Sequence, residues 1–165
     1  MDGEQLRALQ APLKDRYRED GDSARLTLRA TGRLDQGITC SVDTGRAIAQ
    51  AGLHPMTGGD GTALCSGDML LEALAACAGV TLRSVATALG IAVEGTVTAE
   101  GDLDFRGTLG VDRAAPVGFE RIRLTFALDT DADYDARTKL IELTERYCVV
   151  LQTLRTPAEI SVTTA

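Results

Sequence analysis

Apolar residues in this chain recur first at helical spacing, then in alternation, then at helical spacing again. Over residues 3–18 Leu6, Leu9, Leu13 and Tyr17 fall on one face at steps of three or four, interrupted by Pro12, which predicts a modest amphipathic arm. A Gly21-Asp22-Ser23 turn follows. Residues 24–30 then alternate, with Leu26 and Leu28 on one side, and predict a half-buried strand. After the Asp35-Gln36-Gly37 turn a weaker strand is expected over 37–43. Residues 44–67 carry no sustained period and include Gly58-Gly59-Asp60-Gly61, so they read as a long irregular loop of the functional or mobile kind.

The next segment is the most apolar in the chain. Residues 68–89 predict a long buried helix, with Ser66 as N-cap and Gly90 as the stop. Its length invites a membrane reading, but Glu72 and Arg83 interrupt it and much of the rest is Ala, Gly, Ser and Thr, which favours the core of a soluble fold. Beyond Gly90, residues Val93, Gly95, Val97, Ala99, Gly101 and Leu103 share one strand face, and Glu94, Thr96, Thr98, Glu100 and Asp102 the other. A turn-rich stretch around Ala115-Pro116-Val117-Gly118 leads to Ile122, Leu124, Phe126 and Leu128, the alternating pattern of an antiparallel hairpin partner. Residues 133–154 return to helical spacing through Leu140, Leu143, Thr144, Tyr147 and Leu151. A short strand over 159–163 closes the chain. Strands joined by hairpins and kept apart from two helices indicate an α+β fold. The expected division is an arm at 1–23 and one domain at 24–165.

Composition narrows the partners. A net charge of −7 and the absence of any run of basic residues argue against nucleic acid. The amino terminus has no signal-peptide pattern, so a cytoplasmic protein is expected, with no membrane association. The four cysteines, at 40, 65, 77 and 148, are too few and too dispersed for a disulfide scaffold, and a single histidine, His54, leaves no metal site to build. No cofactor is expected either, since the Gly58–Gly61 segment fits neither a phosphate loop nor a dinucleotide fingerprint.

Cys77 lies within the apolar helix, between Ala75-Ala76 and Ala78-Gly79, where small neighbours would let a substrate or another backbone approach the sulfur. Cys148 lies in Tyr147-Cys148-Val149-Val150-Leu151 of the later helix. Taken singly, each reads as a small buried hydrophobe. Cys65, just ahead of the helix N-cap, could be an alternative redox thiol. Cys40 reads as core, and His54 as a loop-anchoring side chain.

Together the segments from Ser66 to Cys77 and from Tyr147 to Arg155 resemble the two motifs of the OsmC/Ohr family. The first places an acidic residue nine positions ahead of a cysteine flanked by small residues; the second places a cysteine near a helix break, followed by a hydrophobic run. The resemblance spans residues 24–162. It implies antiparallel sheets wrapped around two long helices in an intertwined dimer. It further implies thiol-dependent reduction of a small organic hydroperoxide, with Cys77 peroxidatic, Cys148 resolving, Asp68 the acidic partner, and a dithiol as reductant. Family peroxidases resemble one another in carrying an arginine before the central helix. Here no arginine occurs between Arg46 and Arg83, so the loop offers Arg46 and His54 as cations, and Val149 and Leu151 stand where Pro and Ser are often found. The alternative is therefore a binding protein for an apolar or thiol-reactive small molecule without fast turnover. A third reading is a structural dimer with inert cysteines.

Overall fold

The computed structural model describes residues 2–5, 8, 10–11, 19, 31–34, 39–43, 48–110 and 112–164. Of the amino-terminal arm, the described residues 3–5, 8 and 10–11 are helical. Asp2 and Gln5 close a reciprocal cap there: the Gln5 N–H donates to Asp2 Oδ1 at 2.8 Å and the Asp2 N–H to Gln5 Oε1 at 3.0 Å. The apolar face expected on Leu6, Leu9, Leu13 and Tyr17, and the strand expected at 24–30, lie outside the described residues, as does Arg46.

The chain forms two compact units, each discontinuous in sequence. One gathers residues 1–18, 73–98 and 125–165; the other gathers 19–72 and 99–124.

In the second unit β1 (Thr31–Leu34), β2 (Thr39–Asp43), β3 (Ile48–Gly52) and β4 (Leu64–Cys65) make a four-stranded sheet in that order. The first two pairings are antiparallel, with Leu34 opposite Cys40 and Cys40 opposite Ala51. The last is parallel, with Gly52 opposite Cys65, so this sheet is mixed rather than wholly antiparallel. Two of these strands occupy the stretch expected to be irregular. They were hidden because β3 carries Ala, Gln and Gly instead of alternating bulky residues, and β4 is two residues long. The glycine-rich segment is a turn, as its composition implies: Asp60 Oδ1 accepts from the Thr62 N–H at 2.9 Å and from its hydroxyl at 2.6 Å.

Helix α1 (Ser66–Leu89) starts directly after β4. It stops where the sequence places the stop: Gly90 takes φ 70°, and the Ile91 N–H reaches back to the Ala86 carbonyl at 2.9 Å. Its buried residues are Leu74, Ala78, Leu82 and Ala86, a single row at steps of four. Arg83, polar within an apolar helix, turns towards the following strand, donating to the Val93 carbonyl at 2.7 Å and pairing with Glu94 at 3.2 Å.

Strands β5 (Glu94–Asp102) and β6 (Arg121–Asp129) form a two-stranded sheet. Glu120 N–H donates to the Asp102 carbonyl at 2.9 Å, and the Arg123 guanidinium pairs with the Asp102 carboxylate. The connection includes a short helix α2 (Phe105–Thr108), capped by Asp104.

The first unit is completed by α3 (Tyr134–Tyr147) and α4 (Val149–Arg155). Asp133 caps α3, accepting from the Ala136 N–H at 2.8 Å. The core gathers Leu82, Ala86, Val93 and Leu140, with Val85, Ile91, Phe126, Leu128 and Ile141 packed against them. The single helix expected over 133–154 is therefore two helices with a break at Cys148. The expected strand at 159–163 is not formed: residues 157–164 have no strand or helix, and Ile160 and Val162 are 81% and 90% exposed.

Candidate functional site: a paired thiol at a helix break

The site begins with two buried rows. On α1 the row is Leu74, Ala78, Leu82 and Ala86; on α3 and α4 it is Leu140, Thr144, Cys148 and Leu151. Leu140 of the second row packs with Leu82 and Ala86 of the first. Cys77 is one residue off the first row and half-buried, and Cys148 is fully buried. With Cys65 they are free thiols.

Cys148 is where the α3 ladder stops. Its N–H still bonds to the Thr144 carbonyl at 3.0 Å, but its own backbone is extended at φ −73° and ψ 105°. The chain then starts a new helix, whose first N–H groups have no carbonyl one turn earlier to bond. The break is braced from both sides. Gln152 Nε2 donates to the Glu145 carbonyl at 2.7 Å, satisfying one orphan acceptor of α3, and Arg155 pairs with the Glu145 carboxylate at 2.8 Å.

Two of those N–H groups, of Val149 and Val150, act on Cys77. Burial pushes the Cys77 thiol up, but the Val150 N–H, the Cys148 thiol, the Val149 N–H and the Thr81 hydroxyl lie close enough to outweigh it, and the net displacement is downward. The Thr81 part is the smallest, and the same hydroxyl donates its proton to the Cys77 carbonyl at 2.7 Å. For Cys148 the balance is opposite: burial and the facing Cys77 sulfur raise it. The Leu151 and Val150 N–H groups pull it down without making a capping bond to the side chain. The pair is therefore poised as one thiol inclined to ionise beside one inclined to stay protonated.

The sequence of residues 59–163 matches the model of the OsmC-like protein family. The chain belongs to the OsmC family. None of the curated proteins matches it. Among solved structures it is similar to an OsmC-like protein from Mycoplasma pneumoniae, with a TM-score of 0.67 at 17% identity over 80% of this chain and 89% of that one. It is similar to an organic hydroperoxide resistance protein OsmC from Legionella pneumophila, with a TM-score of 0.58 at 18% identity over 79% and 90%. It also resembles the organic hydroperoxide resistance protein OhrB of Bacillus subtilis, with a TM-score of 0.51 at 20% identity over 80% and 93%. At these identities the likeness is one of fold.

Of the site residues expected for an OsmC-like chain, the structure brings Cys77 and Cys148 together. Asp68 is exposed in the first turn of α1, nine residues ahead of Cys77, about 13 Å of rise along the helix. His54 caps a 3-10 turn at Pro55–Thr57, and Cys65 ends β4. Among the described residues no group of His, Cys, Asp and Glu is arranged to hold a metal. Sequence reasoning missed the Val149 and Val150 N–H groups, since a backbone donor carries no letter of its own. Their one signal is the pair of β-branched residues directly after Cys148, a poor continuation for a helix.

Proposed function

We propose that this OsmC-family protein is a thiol-dependent peroxidase that reduces organic hydroperoxides, with Cys77 peroxidatic and Cys148 resolving. The observation that carries the reading is the pairing of two free thiols, Cys77 half-buried on α1 and Cys148 buried at the break between α3 and α4, with backbone N–H groups beside Cys77 that favour its thiolate. In the proposed cycle the Cys77 thiolate attacks the distal peroxide oxygen, the O–O bond breaks, and the alkoxide takes a proton and leaves as the alcohol. Cys77 is then a sulfenic acid. Cys148 attacks its sulfur, expelling water and forming a Cys77–Cys148 disulfide. A dithiol reductant restores both thiols and is itself oxidised to a disulfide.

Leu74, Ala78 and Leu151 are buried on the elements that carry the pair, so bulky apolar hydroperoxides should be preferred to hydrogen peroxide. The names of the Legionella and Bacillus structures point to the same substrate class. A working dithiol cycle belongs in a reducing compartment, which supports a cytoplasmic location. Asp68, distant from Cys77 along its own helix, would act on the site from a second copy of the chain.

One equivalent of cumene hydroperoxide should consume both thiols and leave the disulfide, read by mass spectrometry. Cys148→Ser should stop at sulfenic acid on Cys77, Cys77→Ser should leave Cys148 unreacted, and Asp68→Asn should slow the peroxide step. Both thiols still reduced after prolonged treatment would overturn the peroxidase. The reading left in front would then be a binding protein for an apolar ligand. One observation favours that second reading: among the described residues no Lys, Arg or His contributes to the displacement of Cys77.

A further inference from the structure

The unit formed by residues 19–72 and 99–124 holds a cavity that shares no residue with the thiol pair. It measures 390 Å³ and is walled mainly by carbon, from Leu70, Leu103, Phe105 and Phe119; its polar lining is His54, Cys65, the exposed Ser66, and the Thr57 and Thr108 hydroxyls, which donate to the His54 and Val117 carbonyls. Small-molecule sites span roughly 300–1,000 Å³, so this one suits a compact ligand.

Local structure fixes each wall. His54 Nδ1 accepts the Met56 N–H at 3.1 Å, so the neutral ring carries its proton on Nε2. Among the described residues nothing accepts that proton. The ring lies flat on Phe105, with centroids 5.1 Å apart and planes inclined by 17°. Phe119 lies over Gly101, where even a methyl group would stand 2.4 Å from the ring, so the glycine is what admits the aromatic wall. Cys65 is a free, half-buried thiol at the end of β4.

We propose that this cavity binds a small, flat, apolar compound bearing one carbonyl group. Its plane lies against the aromatic walls, its oxygen accepts the His54 Nε2–H, and Cys65 stands within reach of it. Flatness follows from the rings, and the carbonyl from the unmatched imidazole donor set among them. A ligand with more polar groups would leave them unsatisfied against leucine and phenylalanine. The site stands whether or not Cys77 and Cys148 turn over peroxide.

Two probes test it, benzylacetone and its unsaturated analogue benzylideneacetone. Benzylacetone should bind saturably in a calorimetric titration and slow iodoacetamide labelling of Cys65, while Cys77 labels at its usual rate. Affinity should fall about tenfold in His54→Asn, which keeps a side-chain oxygen for the Met56 N–H but loses the ring and its donor. Gly101→Ala, which displaces Phe119, should weaken binding too. Benzylideneacetone should form an adduct on Cys65: sulfur adds to the β-carbon, the alkene π pair moves to the α-carbon, and that carbon takes the thiol proton, with no net oxidation. Affinity unchanged in both variants, or benzylacetone protecting Cys77 while Cys65 labels at full rate, would overturn the proposal.

Discussion

Cys77 is pulled two ways, and the outcome depends on neighbours that are neutral. Burial favours the thiol; two backbone N–H groups, the Cys148 thiol and, least, the Thr81 hydroxyl favour the thiolate and win. The alkylation rate of Cys77 should therefore rise with pH through a midpoint below that of an ordinary cysteine, and the midpoint should move up in Cys148→Ala, which removes one donor. Cys148 has its folded value raised above its unfolded one. Its contribution to stability is thus complete below the unfolded value and is lost as pH rises through the folded value, whereas that of Cys77 is present above its unfolded value and is lost as pH falls through its folded one. Wild type should accordingly lose more stability than Cys148→Ala on the alkaline side. Equal midpoints for Cys77 in the two proteins would remove Cys148 from the set of groups acting on it. The two cysteines stood out in sequence as candidates through the small residues around one and the order of the two motifs. The direction of their displacement was not, because it depends on N–H groups and on which sulfur faces which.

The helix break between α3 and α4 is the element that makes the site. Were α3 continuous, the Val149 and Val150 N–H groups would be spent on carbonyls one turn earlier, and only the Cys148 thiol and the Thr81 hydroxyl would oppose the burial that pushes Cys77 up. Val149→Pro isolates this effect. Val149 is the first residue of α4, where proline is tolerated, and Cys148 before it already has the extended backbone that precedes proline readily. The variant should keep its helix content by circular dichroism while the alkylation midpoint of Cys77 shifts up. An unshifted midpoint would remove the Val149 N–H from the groups acting on Cys77 and leave the Val150 N–H alone to carry the effect of the break. Helix α1, β5 and β6 were readable because their spacing is regular and their ends carry a glycine stop or an alternating face. The break was legible only through the resemblance, whose second motif sets a cysteine near a helix break; spacing hides it, since Leu140, Thr144, Cys148 and Leu151 keep a helical period straight through it and periodicity is blind to one extended residue. The strand expected at 159–163 alternates in sequence, but it has no partner among the described residues of one chain, and alternation cannot supply one.

Burial within a single chain leaves too much carbon in water. On α1 the face opposite the buried row is open, with Ala73, Ala76 and Val80 exposed and Val80 at 72%, although by length and hydropathy the helix is apolar enough to cross a membrane. In water such a face needs cover. We propose that a second copy covers it under two-fold symmetry, because a helix that leaves an apolar face open on one chain leaves the same face open on the other. The expected outcome is a dimer at micromolar concentration, with light scattering giving twice the 17.4 kDa of the chain. Val80→Arg places a charge on the exposed face three residues beyond Cys77 and touches none of the buried row, so a folded monomer should result. If peroxide turnover needs Asp68 from the second copy, that monomer should also lose the peroxide step while Cys77 still alkylates below the ordinary thiol midpoint. A wild-type chain that scatters as a monomer would remove the second copy from both the fold and the proposed chemistry. A monomeric Val80→Arg with unchanged turnover would remove it from the chemistry alone, leaving Cys77 and Cys148 sufficient within one chain.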